Sequence, residues 1–117
     1  MEKKITWHKI AESKDELFNN NQSLIEIEIA GKMICIGRHR EELKACVAKC
    51  PHAGGKMADG YIDALGNIVC PLHRYRFSLN NGRNISGEGY FLKTYSIESR
   101  INGVFIGLEE KKDSFGS

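Results

Sequence analysis

Two short segments of similar composition, Cys50-Pro51-His52 and Cys70-Pro71-Leu72-His73, lie seventeen residues apart. Thiolate and imidazole side chains are common ligands of transition metals. The only two prolines of the chain lie inside these segments, and proline fixes φ and has no N–H to donate. Gly54 and Gly55 follow the first segment and permit a left-handed backbone and close approach to a ligand. The sequence therefore predicts two tight loops that present Cys50, His52, Cys70 and His73 to one metal site.

The mixed set of two cysteines and two histidines fits two kinds of metal centre. A structural zinc ion accepts such a set, but zinc sites commonly pair like ligands, cysteine with cysteine and histidine with histidine. Here each loop supplies one ligand of each type. A binuclear iron–sulfur centre suits this pattern, because two thiolates bind one iron and two neutral imidazoles bind the other, which raises the reduction potential. The alternative is a binding module that is stabilised by a structural zinc ion.

The stretch Cys50-Pro51-His52-Ala53-Gly54-Gly55, followed by Cys70-Pro71-Leu72-His73-Arg74-Tyr75-Arg76-Phe77, resembles the two cluster-binding loops of the Rieske family, specifically its soluble ferredoxins. The resemblance is strong over residues 43 to 83. It implies a [2Fe–2S] cofactor, with the two cysteines on the buried iron and the two histidines on the outer iron. Rieske proteins of membrane complexes carry a further cysteine in each loop, joined as a disulfide. Gly55 and Leu72 occupy those places here, which excludes that disulfide and favours the ferredoxin branch.

The length of the chain limits what the metal centre can do. We expect its 117 residues to form one domain, 1–117, which leaves no room for a second, catalytic domain. The chain is therefore expected to pass electrons to another protein and not to be an enzyme. No apolar run approaches the ~20 residues that span a bilayer, and no secretory signal is visible. We therefore expect a cytoplasmic protein that does not bind a membrane. A net charge of only +2 argues against nucleic acid as a partner.

Short alternating segments with turn residues between them predict an all-β fold. The only helical candidate is a short turn over residues 13–17, with Ser13 as its cap. We expect Trp7 in the core. Strands are predicted over residues 5–11, 24–29, 33–36, 43–48, 67–69, 76–79, 93–100 and 104–108, with turns at 30–32, 81–82 and 102–103. Together with the resemblance, this pattern predicts a Rieske-like β-sandwich base with a small inserted cluster-binding subdomain over about 43–83.

The two remaining cysteines, Cys35 and Cys46, lie on neighbouring predicted strands. A hairpin loop over residues 39–42 pairs residue 38 with residue 43, and the same register places Cys35 opposite Cys46. This alignment also gives the two strands a common apolar face. We expect two neighbouring thiols that stay reduced in the cytoplasm.

Tyr75 and Phe77 stand where high-potential Rieske proteins have a serine and a tyrosine whose hydroxyls donate hydrogen bonds to cluster sulfur atoms. Phe77 has no hydroxyl, and the Tyr75 side chain is too long to place its hydroxyl at the same sulfur. We therefore predict a potential near the low end of the Rieske range, which runs from about −150 to +300 mV.

These observations predict a soluble one-electron carrier, a Rieske-type ferredoxin that takes electrons from a reductase and delivers them to an oxygenase or other terminal enzyme. The alternative redox role is that of a small accessory subunit, as in assimilatory nitrite reductase. Partners are expected to dock over His52 and His73, beside a basic rim that includes Arg74 or Arg76. Lys56 is a weaker candidate for this rim.

Overall fold

The structure is a computed structural model that describes residues 4–18, 22–51, 54–72, 74–87 and 89–110. Nearly all regular structure in these residues is β-strand, so the predicted all-β class is confirmed. The strands are β1 Lys4–Ala11, β2 Leu24–Ile29, β3 Lys32–His39, β4 Glu42–Val47, β5 Tyr61–Ile62, β6 Asn67–Val69, β7 Arg76–Ser78, β8 Thr94–Arg100 and β9 Gly103–Glu110. A single α-helical turn, α1, spans Lys14–Leu17, and a 3₁₀ turn spans Met57–Asp59. None of the described helices has the length and apolar character needed to cross a membrane.

Six strands form one antiparallel sheet in the order β1-β9-β8-β4-β3-β2. Both halves of this sheet contribute to one apolar core, in which Ile34 and Ile36 of β3 pack with Val104 and Ile106 of β9. All four side chains are fully buried. The sheet therefore curls back on itself, as predicted for a β-sandwich-like base.

A three-stranded antiparallel sheet, in the order β5-β6-β7, is inserted in sequence between β4 and β8. A second cluster of buried apolar side chains joins it to the base, with Phe77 from the small sheet and Cys35 and Cys46 from the base. Gly37 permits this approach, because a Cβ there would lie 2.9 Å from Ile62 Cδ1. The small sheet lies within residues 43–83, whose status as a subdomain stays a prediction.

Strands β3 and β4 have the predicted register, with Cys35 directly opposite Cys46. The hairpin turn between them is shorter than predicted. It consists of Arg40 and Glu41 alone, with φ of 52° and 69°. Two positive φ values give the turn a twist that matches that of the strands. Lys14 Nζ donates to the Glu41 carbonyl oxygen at 2.7 Å and so holds this strained turn against α1.

The prediction that Trp7 is a core residue is wrong. Trp7 pairs with Gly107, whose neighbours Ile106 and Leu108 belong to the core. Successive residues of a strand point to opposite faces, so Trp7 lies on the outer face of the sheet. There the guanidinium carbon of Arg100 lies 4.8 Å from the centre of the Trp7 ring.

Candidate metal centre

The first loop begins at Cys50, three residues after the end of β4. Cys50 N donates to the Gly55 carbonyl oxygen at 2.7 Å, and Gly54 N donates to the Cys50 carbonyl oxygen at 2.8 Å. Gly54 has a φ of 73°, which favours glycine. These hydrogen bonds bring Gly54 and Gly55 back to Cys50, as expected for the predicted tight bend, and the Cys50 side chain is buried.

The second loop begins at Cys70, which directly follows β6 and is fully buried. Cys70 N donates to the Tyr75 carbonyl oxygen at 2.9 Å, which closes the loop. Leu72 N donates to Cys70 Sγ at 3.4 Å. Arg74 has a φ of 57°, a left-handed conformation that costs a non-glycine residue roughly 1–2 kcal/mol. Both loops are therefore closed by their own backbone hydrogen bonds, with the cysteine at the start of each.

The two cysteine side chains lie in contact. Burial raises the pKa of the Cys70 thiol to about 11, and a hydrogen bond with Cys50 and the charge of Cys50 act in the same direction, against the hydrogen bond from Leu72 N. Without a metal, such a thiol is protonated at neutral pH. A metal ion that binds here must release that proton, because the thiolate is the form that coordinates metal.

Gly55 brings the first loop against the second. A Cβ on Gly55 would lie 3.0 Å from both Cγ and Cδ1 of Leu72 and 3.3 Å from Cys70 Sγ. A side chain at this position would therefore enter the space beside the sulfur. The contact also places Gly55 next to Leu72, in agreement with the resemblance, which assigns a bridging cysteine to each of these positions in the membrane branch.

These observations fit a thiolate-bound iron centre. Two buried sulfur atoms meet in an apolar pocket, a glycine leaves space beside one of them, and a backbone N–H donates to it. Hydrogen bonds to sulfur are one of the ways in which a protein adjusts such a centre. His52 and His73 lie outside the described residues, so the histidine half of the predicted ligand set stays a prediction.

Aromatic rings lie beside the second loop. The ring centre of Tyr75 lies 6.4 Å from that of Phe77 and 6.4 Å from that of Tyr90. Phe77 is fully buried and Tyr75 is half-buried. Tyr90 was missed by the sequence analysis, because it lies fifteen residues beyond Tyr75 and no spacing rule connects the two.

The two arginines that follow the second loop differ in their surroundings. Arg74 is exposed. Arg76 Nη1 instead lies 2.7 Å from Asp63 Oδ2, in an ion pair that the sequence analysis missed. Asp63 lies thirteen residues earlier, in the turn between β5 and β6. Aspartate and glycine, as at positions 63 and 66, are typical of turns, but no spacing rule pairs Asp63 with Arg76.

Comparisons with known proteins identify a family model, related sequences and similar folds. The chain matches the model of the Rieske [2Fe–2S] domain over residues 6–95. It is 28% identical to the ferredoxin component of the naphthalene 1,2-dioxygenase system of Pseudomonas putida, over 73% of this chain and 82% of the relative. It is 21% identical to the ferredoxin component of the alkene monooxygenase system of Xanthobacter autotrophicus, over 81% of this chain and 76% of the relative.

Two solved structures extend the comparison to the fold. The ferredoxin of carbazole 1,9a-dioxygenase from Nocardioides aromaticivorans IC177 has a TM-score of 0.73 at 18% identity, covering 86% of this chain and 96% of that one. A structure described as a nitrite reductase small subunit from Mycobacterium tuberculosis has a TM-score of 0.76 at 16% identity, covering 89% of this chain and 96% of that one. At these identities the likeness shows the fold alone.

Proposed function

Because the chain belongs to the Rieske [2Fe–2S] domain family, we propose that it serves as the ferredoxin component of an oxygenase system. Its cofactor is a [2Fe–2S] cluster, and it is an electron carrier rather than a catalyst. The contact between the buried side chains of Cys50 and Cys70 carries the proposal, because it supplies two thiolates to one site. When bound, the cluster is reduced and reoxidised by one electron.

The proposed ligands are Cys50, His52, Cys70 and His73. Burial of the two cysteines supports different positions for the two ligand types, with cysteines inside and histidines outside. A centre that exchanges electrons needs one side near the surface. In this proposal the two histidines form that side. The pairing of one cysteine and one histidine in each loop supports the same arrangement, because each loop then reaches both irons.

The proposed docking surface for the oxygenase consists of Leu72, His73, Arg74 and His52. Leu72 is 44% exposed and Arg74 is exposed, and they flank position 73 in sequence. An apolar centre with charge at its edge is usual in protein interfaces. Arg76 contributes less than expected, because Asp63 compensates its charge. Lys56 is exposed beside the first loop and stays the weaker candidate.

We place the protein in the cytoplasm. Cys35 and Cys46 face each other across β3 and β4, and we expect the two thiols to stay reduced there. A reducing compartment keeps such pairs reduced, whereas an oxidising one favours disulfides.

A subunit of nitrite reductase is the second candidate, because a small subunit of that type has the same fold. The two roles predict different behaviour on purification. A ferredoxin leaves its partner between electron transfers, whereas a subunit stays in a complex. Co-purification with a large enzyme through size-exclusion chromatography would favour the subunit.

The proposed ligand set is tested with two buried cysteines of the same core. Cys50→Ala removes a proposed ligand, while Cys35→Ser changes a buried cysteine of the same cluster that is outside the proposed ligand set. We expect the wild type and Cys35→Ser to be red-brown and to give a rhombic EPR signal after reduction, and Cys50→Ala to lack iron and colour. A wild type that holds zinc, or a Cys50→Ala variant that keeps its cluster, would refute the assignment.

A further inference from the structure

Asp63 is the least exposed acid in the ion pairs of the described residues. Its side chain is 14% exposed, whereas each other acid in these pairs is at least 43% exposed. Exposed ion pairs contribute little to stability, because water and salt screen them. A carboxylate that has lost most of its water needs hydrogen bonds from the protein instead. Among these ion pairs, loss of the Asp63 pair should therefore destabilise the structure most.

Asp63 accepts hydrogen bonds from three residues. Its Oδ1 accepts from Leu65 N at 3.0 Å and from Asn67 N at 2.9 Å, and its Oδ2 accepts from Asn67 Nδ2 at 3.3 Å and from Arg76 Nη1 at 2.7 Å. Burial acts to raise the pKa of Asp63, but the hydrogen bonds from Asn67, Arg76 and Leu65 outweigh it and lower the pKa below its usual 3.8. Asp63 is thus ionised at neutral pH, and Arg76 is the cation that pairs with it.

The backbone of Arg76 connects two further segments. Arg76 pairs with Val69, which immediately precedes Cys70. Arg76 N donates to Ser86 Oγ at 2.7 Å, and Ile85 N donates to the Arg76 carbonyl oxygen at 2.8 Å. Arg76 therefore joins the β5–β6 turn, strand β6, which leads into Cys70, and the segment that follows β7.

The geometry points to Arg76 as a positioning residue for the second loop, with Asp63 as its anchor. The pair holds β7 and the β5–β6 turn at a constant distance, and β6, between them, then places Cys70 against Cys50. This inference rests on the proposed ligands and gives Arg76 a role other than partner docking. Since the pair is neutral, it also adds no net charge near the metal centre.

Three variants test this inference: Arg76→Gln, Asp63→Asn and the double variant. We expect faster amide hydrogen exchange at Cys70 and Leu72, broader EPR lines and faster loss of iron to a chelator in all three. The reduction potential should fall in Arg76→Gln, which leaves a bare carboxylate, and rise in Asp63→Asn, which leaves a bare guanidinium. It should return towards the wild-type value in the double variant, which restores neutrality while the loop stays loose.

Arg38→Gln is the matched control. Arg38 also pairs with acids, Glu41 at 2.6 Å and Asp15 at 3.2 Å, but at the hairpin end of β3, away from both loops. We expect this variant to leave amide exchange at Cys70, EPR lines and potential as in the wild type. If Arg76→Gln behaves like Arg38→Gln, the positioning role is refuted. If the wild type holds no iron, the proposed function fails, and amide exchange at Cys70 and Leu72 still decides the positioning role.

Discussion

Phe77 is the residue near the loop cysteines for which we predict an effect on the reduction potential. It is fully buried, belongs to the same apolar cluster as Cys50 and Cys70, and has no group that donates a hydrogen bond. A hydrogen bond to a cluster sulfur stabilises the reduced form, which carries one more negative charge. The absence of a hydroxyl on this side chain thus supports the predicted low potential, which stays a prediction.

The variant Phe77→Tyr should raise the reduction potential. If the new hydroxyl favours the reduced form by about 1.4 kcal/mol, the one-electron potential rises by roughly 60 mV. Phe77→Leu is the control, because it changes packing without adding a donor. Voltammetry of the three proteins measures the effect, and an equal shift in both variants would show that packing and not hydrogen bonding controls the potential.

At the scale of elements, the β3–β4 hairpin holds a thiol pair in the core. The pKa of Cys46 is raised well above its usual 9.0 by a hydrogen bond with Cys35, by burial and by the charge of Cys35. Both side chains are fully buried. Buried thiols of raised pKa are poor nucleophiles, so the pair contributes to packing rather than to chemistry.

The raised pKa of Cys46 predicts a loss of stability in alkali. The folded chain keeps a proton that the unfolded chain releases near pH 9, so the contribution is fully present below pH 9 and is lost as pH rises through the folded pKa. Cys46→Ala should lose less stability than the wild type as the pH rises above 9.0. Thermal unfolding measures this, and parallel curves for the two proteins would contradict the role of Cys46.

The turn after β7 depends on one glycine. The predicted turn at Asn81-Gly82 forms, with a φ of 78° at Gly82. In the described residues the chain after this turn pairs with β7 by an isolated bridge between Phe77 and Asn84, and not as a strand. Leu92 N donates to the Gly82 carbonyl oxygen at 2.8 Å, which brings a distant segment against the turn. A Cβ on Gly82 would overlap the Leu92 carbonyl oxygen.

Gly82→Ala should therefore destabilise the fold far more than Gly31→Ala. The two glycines have similar φ, 78° and 82°, but a Cβ on Gly31 would have no neighbour within 4 Å. We expect Gly31→Ala to cost only the left-handed conformation, roughly 1–2 kcal/mol, and Gly82→Ala to cost more because a backbone must move. Denaturant unfolding compares them, and equal losses would show that the close approach of Leu92 is unimportant.

At the scale of the whole molecule, Arg74 and Arg40 form a natural pair for testing partner docking. Both are exposed, and both have a left-handed backbone, with φ of 57° and 52°. Arg74 lies in the second loop, whereas Arg40 lies at the β3–β4 turn, at the opposite end of β4 from Cys50. The same charge reversal at both positions therefore compares a charge on the proposed docking surface with a charge far from it.

Arg74→Glu should slow electron transfer to an acidic acceptor several-fold at low salt, because rim charges act mainly on the rate of encounter. The wild-type rate should fall as salt rises, since charges are screened beyond about 10 Å at 0.1 M. Arg40→Glu should leave the rate close to that of the wild type. Stopped-flow measurements at several ionic strengths test this, and equal effects of the two variants would mean that only net charge matters.

Local patterns in the sequence determined the class of fold and the β3–β4 register, and they predicted the two cysteines of the proposed metal centre. Strand alternation, the Ser13 cap and the proline-bearing loops act within a few residues, so their effects can be read without knowing the rest of the fold. The tertiary structure alone decided which face of β1 is buried, hence the position of Trp7 on the outer face, and which acid pairs with Arg76. Both outcomes depend on strands that are distant in sequence, and no periodicity specifies the partner of a side chain across such a distance.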